Sequence, residues 1–344
     1  MHSTTRAAKT STCCTDRRLT EPTPKVSVIT GVFNSRRYLA SYFRMLSAQT
    51  FTDWEVILVD DGSTDDTVAF LRAHAATDAR VRVFEKPPEG YPSRTRALAL
   101  SHARGELVAF VDHDDLWAPQ KLAIQVAAMA RFPDTALLHT DRIVWTSLDF
   151  PDPIFHYGGH PDAAPVRLQS PEECIYGGLQ IIFSSFMAKR AVVDPVGFNP
   201  AMRAVDDLYL FVRLAHLGAI RRVELPLTYY YAHSGNLSHT SNIFVAGFKQ
   251  VADVLAHDPV SETARRALRA QALRTEAVSL LATNRVRALR LLVQSLRLYF
   301  IPSTLNRLAF LIATFFVPPR LQQSLLKAVK RIKFVFPTLR DLFS

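Results

Sequence analysis

The sequence predicts an α/β fold with a mainly parallel central sheet, followed by a helical C-terminal extension. Apolar, β-branched segments and amphipathic segments alternate four times within about 90 residues, a pattern typical of parallel βαβ units with helices on both faces of the sheet. Acidic clusters follow two of the apolar segments. Beyond residue 245, Leu, Ala and Arg dominate, which favours helices.

The alternation begins near residue 25. Lys25–Phe33 is β-branched and bounded by polar residues, so it is predicted to be a buried strand. Tyr38–Gln49 shows helical spacing of its apolar residues. Trp54–Val59 is the second buried strand, and Asp65–Ala76 is the helix that follows it.

The same alternation continues to residue 111 and returns near residue 205. The remaining predicted elements are a short strand at Val81–Glu85, a helix at Ser93–Ala103, strands at Leu107–Val111 and Asp134–His139, a helix at Val205–Leu217 and an extended segment at Val223–Tyr231. Between Asp134–His139 and Val205–Leu217 several prolines predict irregular structure.

Net charge divides the chain near residue 240. Residues 241–344 contain 16 Lys and Arg against 5 Asp and Glu, a surplus of +11, whereas residues 1–240 carry −1. We therefore predict a polar, disordered N-terminal arm at 1–24, an α/β domain at 25–240 and a basic amphipathic helical extension at 241–344. Basic charge alone fits nucleic acid, anionic lipid or an acidic partner.

The composition predicts a cytoplasmic protein. The N-terminal arm lacks the apolar run of a secretory signal. The longest apolar candidate for a membrane span, Leu308–Val317, is shorter than the ~18 residues that a spanning helix needs. Cys13, Cys14 and Cys174 form no disulfide or metal-ligand pattern, which fits a reducing compartment.

Asp60 and Asp61 stand at the end of the second predicted strand. In open α/β sheets ligands bind beyond the carboxyl ends of the strands, so this pair is expected to bind ligand hydroxyl or N–H groups. Asp65 and Asp66 have a different interpretation, since acids in the first turn of a helix cap it and stabilise its dipole.

Three carboxylates, those of Asp112, Asp114 and Asp115, follow the strand at 107–111. Such a cluster is electrostatically costly unless a cation or hydrogen-bond donors neutralise it. Mg²⁺ and Mn²⁺ prefer oxygen ligands and often bridge one or two carboxylates to phosphates, so the cluster predicts a divalent-cation site. Alternation along a strand predicts that His113 points away from that cation.

Asp206 and Asp207 begin an amphipathic helix. From the residues alone, two interpretations stay open. Acids at a helix start stabilise the dipole and are ordinarily exposed, but the pair is also a candidate for a functional role.

Three motifs in a fixed order resemble family 2 glycosyltransferases of the glycosyltransferase-A fold. They are VSVITGVFNSRRYLASYFRMLSAQTFTDWEVILVDDGSTDDT, PSRTRALALSHARGELVAFVDHDDLWAPQKL and VGFNPAMRAVDDLYLFVRLAHLG, and the resemblance covers roughly residues 25–240. It implies a Rossmann-like catalytic domain. The implied activity is metal-dependent, inverting transfer of a sugar from a nucleotide-diphosphate donor, UDP by family habit, to a hydroxyl of a glycan or lipid-linked acceptor in cell-surface polysaccharide or glycolipid synthesis.

The resemblance assigns five residues to the nucleotide. Asp60 and Asp61 match the acidic pair that contacts the base and ribose, with Thr30 and Asn34 near the same pocket. Arg96 matches an arginine that approaches the nucleotide from the helix after the third strand.

The resemblance assigns five further residues to the metal and the chemistry. Asp112 and Asp114 match the Asp-x-Asp that holds ribose and the divalent metal, Mn²⁺ or Mg²⁺. Asp207 takes the place of the catalytic base, and Asp206 stands where the family has Glu. His233 resembles a histidine near the diphosphate. The family pattern also differs at Gly31, Ala97 and Ala99, and none of these differences removes a group on which the chemistry depends.

The loop before the Asp206-Asp207 helix is the candidate acceptor side. It contains Gly177-Gly178 and Ser184-Ser185, whose polar groups are expected to line this side. The alternative is a polar loop beside a strand.

The basic extension predicts contact with an anionic membrane surface, on its cytoplasmic face. Apolar residues at helical spacing between Leu289 and Phe300, and again between Leu325 and Ile332, are flanked by Lys and Arg. The alternative is a set of ordinary helices packed on the catalytic domain with the charged face in water.

Two other function classes are weighed. A nucleotidyltransferase would ordinarily need a basic, Gly-rich phosphate loop near the first strand, and Gly31-Val32-Phe33-Asn34 is not one. A nucleic-acid-binding protein driven by the basic tail would carry a recognisable binding module, which the sequence lacks. We therefore expect no nucleic-acid partner.

Overall fold

The computed structural model describes residues 23–147, 151, 154–176, 182–233, 236, 241–258, 260–280 and 283–299. Several predictions fall elsewhere in the chain. Nearly all of the N-terminal arm, the Gly177-Gly178 loop, the apolar segment Leu308–Val317 and the second tail stripe lie outside the described residues.

Nine strands of the described residues form one sheet. They are β1 (Val26–Val32), β2 (Trp54–Asp60), β3 (Val81–Glu85), β4 (Leu107–Phe110), β5 (Leu116–Trp117), β6 (Thr135–Trp145), β7 (Val166–Gln169), β8 (Met187–Lys189) and β9 (Ala219–Tyr231). Their order across the sheet is β3-β2-β1-β4-β8-β6-β9-β5, and β7 also pairs with β9.

The described helices surround this sheet, so the predicted α/β class is confirmed. They are α1 (Arg36–Ser47), α2 (Thr67–Ala75), α3 (Pro92–Ser101), α4 (Lys121–Arg131), α5 (Pro171–Tyr176), α6 (Arg190–Val193), α7 (Asp206–Leu214), α8 (Ser241–Val254), α9 (Glu262–Leu280) and α10 (Arg285–Leu298).

The first four strands form one parallel block of the sheet, and β6 and β9 form another parallel pair. β1 pairs in parallel with β2 and β4, and β2 pairs in parallel with β3. The register places Val32 opposite Asp60, so the loops after β1, β2 and β4 leave from one edge of the sheet. β8 pairs antiparallel with β4 and β6, so the sheet also contains antiparallel pairs. Three residues are too few for β8 to give a strand pattern in the sequence.

Helices cover both faces of the sheet. Along β2, Val56 and Leu58 belong to one buried cluster and Ile57 and Val59 to the other, as expected when successive side chains point to opposite faces. The first cluster contains residues of α1, α2 and α4, and the second contains residues of α3, α7, α8 and α9.

The described part of the C-terminal extension packs on helix α7. Phe248 and Val251 of α8 and Leu268 of α9 share one buried cluster with Leu210 and Phe211 of α7. Helix α10 packs on α9 through a small separate cluster. Within the described residues, every helix is too short or too polar to cross a bilayer. The domain boundary at residue 240 therefore stays a prediction from the sequence. The buried core contains residues from both sides of that boundary.

Candidate active site

A cavity of about 990 Å³ opens at the edge of the sheet where β1, β2 and β4 end. Its wall includes most of the residues that the sequence analysis singled out, brought together from segments up to about 200 residues apart. These are Asn34, Asp61, Arg96, Asp112, Asp114, Asp206, Asp207 and His233.

Two of the predicted nucleotide contacts, Thr30 and Asp60, do not line this cavity. Thr30 has no exposed surface, and its hydroxyl bonds to the Tyr42 hydroxyl at 2.7 Å and the Val111 carbonyl at 3.0 Å. The Asp60 carboxylate accepts hydrogen bonds from its own turn, at 3.0 Å from Gly62 N and 2.8 Å from Ser63 N. Their polar atoms are used to build the floor and the turn, and their assignment to the nucleotide stays a prediction.

Asp61 projects into the cavity and is held by the loop after β3. It forms an ion pair with Lys86 and accepts hydrogen bonds from the backbone N–H groups of Glu89, at 3.0 Å, and Gly90, at 2.9 Å. Lys86 belongs to no motif that would identify it in the sequence. The pairing fixes the rotamer of Asp61 while leaving a carboxylate edge in the cavity wall.

Asn34 also lines the cavity, in a left-handed conformation with φ of 47°. Its side-chain oxygen accepts from the Thr64 backbone N–H at 2.8 Å, and its own N–H donates to the Ser63 hydroxyl, also at 2.8 Å. These bonds join the loops that follow β1 and β2. Asn tolerates this backbone conformation better than most residues, which accounts for its place here.

Arg96 bridges two of the acidic motifs. Its Nη1 lies 2.8 and 2.9 Å from the two carboxylate oxygens of Asp206, and its Nη2 lies 2.6 Å from Asp112 Oδ1. The guanidinium also stacks over the Phe183 ring at 3.8 Å. Burial opposes its charge, but Asp206 and Asp112 outweigh that effect and raise the pKa of Arg96. The helix α3 is thereby tied to both the turn after β4 and the start of α7.

The acidic cluster after β4 forms a turn whose hub is Ser184. The Ser184 hydroxyl donates to the Asp115 carboxylate and accepts from the Asp112 backbone N–H at 2.9 Å. Asp115 also accepts from Tyr231 N at 2.9 Å. Burial, together with Asp114 and Asp112, raises the pKa of Asp115 well above its usual value. Asp115 and Ser184 are buried, so both hold the turn in place, and Ser184 is not an exposed acceptor-side residue.

His113 lines the same cavity as Asp112 and Asp114, contrary to the alternation expected for a strand. β4 ends at Phe110, and the Asp115 N–H bonds back to the Asp112 carbonyl at 3.1 Å, so the segment is a turn. Alternation of side chains does not apply there. The His113 ring packs against Tyr38, and its Nδ1 lies 3.2 Å from the Gly31 carbonyl.

Asp114 pairs with His233, whose Nε2 lies 2.9 Å from Asp114 Oδ2. The Tyr38 hydroxyl approaches the same His233 nitrogen at 3.4 Å. Burial acts to raise the pKa of Asp114, but the charges of His113 and His233 and the His233 hydrogen bond lower it overall. Asp114 is therefore anionic at neutral pH. The expected position of His233 near the diphosphate stays a prediction.

Asp206 and Asp207 have different environments at the start of α7. Asp206 is 2% exposed and bound by Arg96. Asp207 lines the cavity, and its Oδ1 accepts only the neighbouring Leu208 N–H, at 2.8 Å, within the described residues. Burial and the adjacent Asp206 charge raise the pKa of Asp207 to about 6. A carboxylate of that basicity is suited to accept a proton near neutral pH.

A divalent cation fits the residues around Asp112 and Asp114. Within the described residues, no group of three or more His, Cys, Asp or Glu side chains forms a complete metal site. Mg²⁺ and Mn²⁺ sites commonly use one or two carboxylates and complete their coordination with substrate oxygens and water. A carboxylate has about four lone-pair sites, so the contacts of Asp112 with Arg96 and of Asp114 with His233 leave capacity for a cation.

Comparison with known proteins places this chain in a well-populated group. Residues 27–189 match the family model described as glycosyl transferase family 2. The chain is 38% identical over 106 residues to a putative teichuronic acid biosynthesis glycosyltransferase of Bacillus subtilis, covering 31% of this chain and 42% of that protein. It is 30% identical over 220 residues to an uncharacterized glycosyltransferase of Nostoc, covering 62% of this chain and 66% of that protein.

Several curated relatives are longer than the shared segment. The matched region covers between 13% and 44% of their lengths. The similarity therefore concerns the domain that contains the acidic motifs and leaves the rest of those proteins outside the comparison.

Two solved structures show the same fold. The structure of Staphylococcus aureus TarS residues 1–349 in complex with UDP-GlcNAc has a TM-score of 0.59 and 18% identity, covering 83% of each chain. The mannosyltransferase PcManGT of Pyrobaculum calidifontis, in complex with GDP-Man and Mn²⁺, has a TM-score of 0.56 and 19% identity, covering 89% of this chain and 87% of that one. At this level of identity the likeness concerns the fold.

Proposed function

Residues 27–189 belong to glycosyl transferase family 2, and on that premise we propose that this protein transfers a sugar from a nucleotide-diphosphate donor to a hydroxyl group, with inversion at the anomeric carbon. The observation that carries the proposal is the placement of Asp207. This carboxylate of raised pKa faces a cavity of about 990 Å³ that also contains the Asp112–Asp115 turn.

The donor is proposed to be a UDP-sugar. Asp61 and Asn34 would contact the base and ribose, and Asp112 would contact the ribose. The TarS structure is a complex with UDP-GlcNAc and the PcManGT structure a complex with GDP-Man, so this fold accepts more than one nucleotide. A neighbour named for teichuronic acid biosynthesis supports a glycan acceptor in polysaccharide synthesis.

In the proposed reaction Asp207 accepts the proton of the acceptor hydroxyl while that oxygen attacks the anomeric carbon. The bond from the anomeric carbon to the diphosphate oxygen breaks, and the nucleoside diphosphate leaves from the opposite face. Asp206 stays bound to Arg96 and keeps the pKa of its neighbour Asp207 raised. General-base assistance of this kind contributes roughly 10²–10⁴-fold in rate.

Asp112 and Asp114 are the proposed ligands of a divalent cation, Mn²⁺ or Mg²⁺. Such a cation, when bound, stabilises negative charge on the leaving diphosphate. His233 holds Asp114 in the cavity wall and adds positive potential when protonated. Arg96 holds Asp112 in place, so it supports the site through position as well as charge.

Calorimetry with UDP tests this proposal. We expect wild-type protein to bind UDP more tightly with Mn²⁺ than without it, and Asp114→Ala to lose that difference. Asp162→Ala, a change at an exposed acid outside the cavity wall, is the matched control. If UDP, GDP and dTDP all fail to bind wild type with either metal, the transferase proposal is wrong.

We also propose that the extension touches an anionic membrane surface from the cytoplasmic side. On α10, Val286, Arg290 and Arg297 follow helical spacing, and Val286 is 51% exposed. The exposed side chains of Arg269, Arg290 and Arg297 form no ion pair within the described residues. Exposed cations beside apolar surface suit the interface of an anionic bilayer.

Vesicle sedimentation tests the membrane proposal. Wild type is expected to bind phosphatidylglycerol vesicles and to bind phosphatidylcholine vesicles much less. Replacing Arg269, Arg290 and Arg297 by Gln should remove most of this binding. The control replaces three arginines that are paired with acids elsewhere, Arg72, Arg80 and Arg190. Equal losses in both triple variants would mean that net charge, and not this surface, is responsible.

A further inference from the structure

Val205, the residue before Asp206-Asp207, has a left-handed backbone with φ of 61° and ψ of 23°. A β-branched side chain is strained in this conformation. Such strain persists only where the surrounding structure imposes it, and it is concentrated at functional sites. Val205 is 7% exposed and is the N-cap of α7, so its backbone sets the direction in which Asp207 leaves the loop.

Helix α8 of the C-terminal extension presses on this residue through Gly247. A Cβ atom at Gly247 would lie 2.7 Å from Val205 Cγ2 and 3.1 Å from the Ala204 carbonyl oxygen. The first of these distances is too short for any side chain. The same helix holds the preceding loop, because Gln250 Nε2 donates to the Ala201 carbonyl at 3.0 Å.

The segment between α8 and α9 holds the other end of α7. Arg213, in the last turn of α7, forms an ion pair of 2.6 Å with Asp258. The Ser261 backbone N–H donates to His216 Nε2 at 2.8 Å. Gly247 and Gln250 of α8 contact the loop before α7, and Asp258 and Ser261 contact the other end of α7, so the extension fixes the helix that carries Asp206 and Asp207.

We propose that Gly247 is a positioning residue for the transfer reaction: its missing side chain lets α8 hold Val205 in the left-handed conformation that points Asp207 into the cavity. This inference rests on the proposed role of Asp207 as the base. It assigns to the C-terminal extension a part in catalysis that is separate from its basic charge.

The test begins with Gly247→Ala, compared with wild type and with Gly158→Ala, where an added Cβ meets nothing within 4 Å. The assay follows UDP released from UDP-GlcNAc with Mn²⁺, with water as acceptor. We expect kcat to fall at least about tenfold in Gly247→Ala, while KM and the Kd for UDP change less than about threefold. The acidic limb of the pH–rate profile should move below pH 6, since a displaced Asp207 loses the burial that raises its pKa.

Rescue distinguishes positioning from general damage. Val205→Gly removes the atom that an alanine at position 247 would strike and suits a left-handed backbone. The double variant should therefore recover at least about tenfold over Gly247→Ala, or recover folding if Gly247→Ala does not fold. Wild-type kcat in Gly247→Ala, or additive losses in the double variant, would overturn the proposal.

Hydrogen exchange separates this proposal from the proposed function. If wild type neither binds UDP nor releases it, the transferase assignment fails. The packing proposal is then decided by the amides of Leu208, Tyr209 and Leu210. Faster exchange in Gly247→Ala that the double variant reverses supports it, and unchanged exchange rejects it.

Discussion

Both carboxylate oxygens of Asp206 accept hydrogen bonds from Arg96, whereas the adjacent Asp207 carboxylate faces the cavity. The two residues have the same chemistry in an unfolded chain. In the fold, Asp206 is engaged by Arg96, whereas burial and the neighbouring Asp206 charge raise the pKa of Asp207. The resemblance assigns the base to Asp207, and these contacts favour the same residue.

Asp207→Asn should lower kcat by at least about 100-fold while UDP binding with Mn²⁺ stays close to wild type. In wild type the rate should fall as the pH drops below about 6, because the protonated acid cannot accept another proton. Asp162→Asn, at an exposed site, serves as the control. Near-normal turnover in Asp207→Asn would remove this residue from the mechanism.

The same variant should be more stable than wild type at neutral pH. The native pKa of Asp207 is raised above the unfolded value of about 3.9, so ionisation of this group costs stability as the pH rises from about 4 through 6. Asp207→Asn should gain roughly 1–3 kcal/mol in the free energy of unfolding at pH 7 and little at pH 4. Urea titrations at the two pH values measure the difference.

At the residue scale, sequence reasoning could locate the acids but not their partners. Acids at strand ends are visible because a strand run stops beside them. Whether an acid faces a ligand depends on contacts with distant residues: Asp60 is used by its own turn, and Asp61 is held by Lys86. Ser184 was expected on the acceptor side and not in the acidic turn, and Gly247 carried no signal, since the contacts of both residues join elements that meet only in the fold.

At the scale of elements, α4 carries a buried lysine that supports the acidic turn. Lys121 has no exposed surface, donates to Gln125 Oε1 at 2.6 Å and lies 4.0 Å from the Trp117 ring. Gln125 Nε2 donates to the Ser185 carbonyl, and Trp117 Nε1 donates to the Ser184 carbonyl. The segment after the acidic cluster thus holds the turn that contains Ser184.

Burial lowers the pKa of Lys121 well below its ordinary value, which predicts a pH-dependent stability. Between the lowered native pKa and about 10.4, the unfolded chain binds one more proton than the native protein, so stability rises with pH. The slope from this group is about 1.4 kcal/mol per pH unit. Lys121→Met should remove it.

Urea unfolding at several pH values between 7 and 10 measures this slope. The quantity to compare is the difference in free energy of unfolding between wild type and Lys121→Met, which cancels other titrating groups. Lys25→Met is the control. Lys25 is the partly exposed residue before β1, and its replacement should leave the slope unchanged. A difference that is flat across the range would show that Lys121 is protonated in the native protein.

The elements themselves were predicted unevenly. Strands β1 to β4 and helices α1 to α3 lie within a few residues of their predicted bounds because their apolar patterns are strong. β6 continues to Trp145, beyond the predicted end at His139. The prediction stopped early because the second half of the strand is half-exposed and lacks a continuous apolar run. α4 was not predicted, although Leu122, Ile124 and Met129 are buried in it. The apolar residues of α4 come shortly after the acidic residues Asp112–Asp115, which were interpreted as a ligand site.

At the scale of the whole molecule, one buried cluster joins the sheet to the extension. Ile57 and Val59 of β2, Leu210 of α7 and Leu268 of α9 all belong to it. The sequence predicted helices beyond residue 245 and left open whether they pack on the catalytic domain, because composition does not show which surface a helix covers.

Leu268→Ala should therefore destabilise the catalytic half as well as the extension. Leu268 is 1% exposed, and truncating a buried leucine costs about 2–5 kcal/mol. Thermal unfolding followed by circular dichroism and loss of UDP binding should shift together to lower temperature. Val286→Ala, at a 51% exposed site, should leave both unchanged. A shift in only one signal would indicate that the two parts unfold independently.

The contact between Gly247 and Val205 also has a consequence for how the protein is made. Synthesis proceeds from the N-terminus, so every carboxylate of the cavity exists in the nascent chain before residue 247 has been added. Until α8 has been synthesised, its contacts with the loop that orients Asp207 are missing. If the packing proposed above is correct, a ribosome-bound chain contains all the acids of the cavity before it contains the residue that orients Asp207.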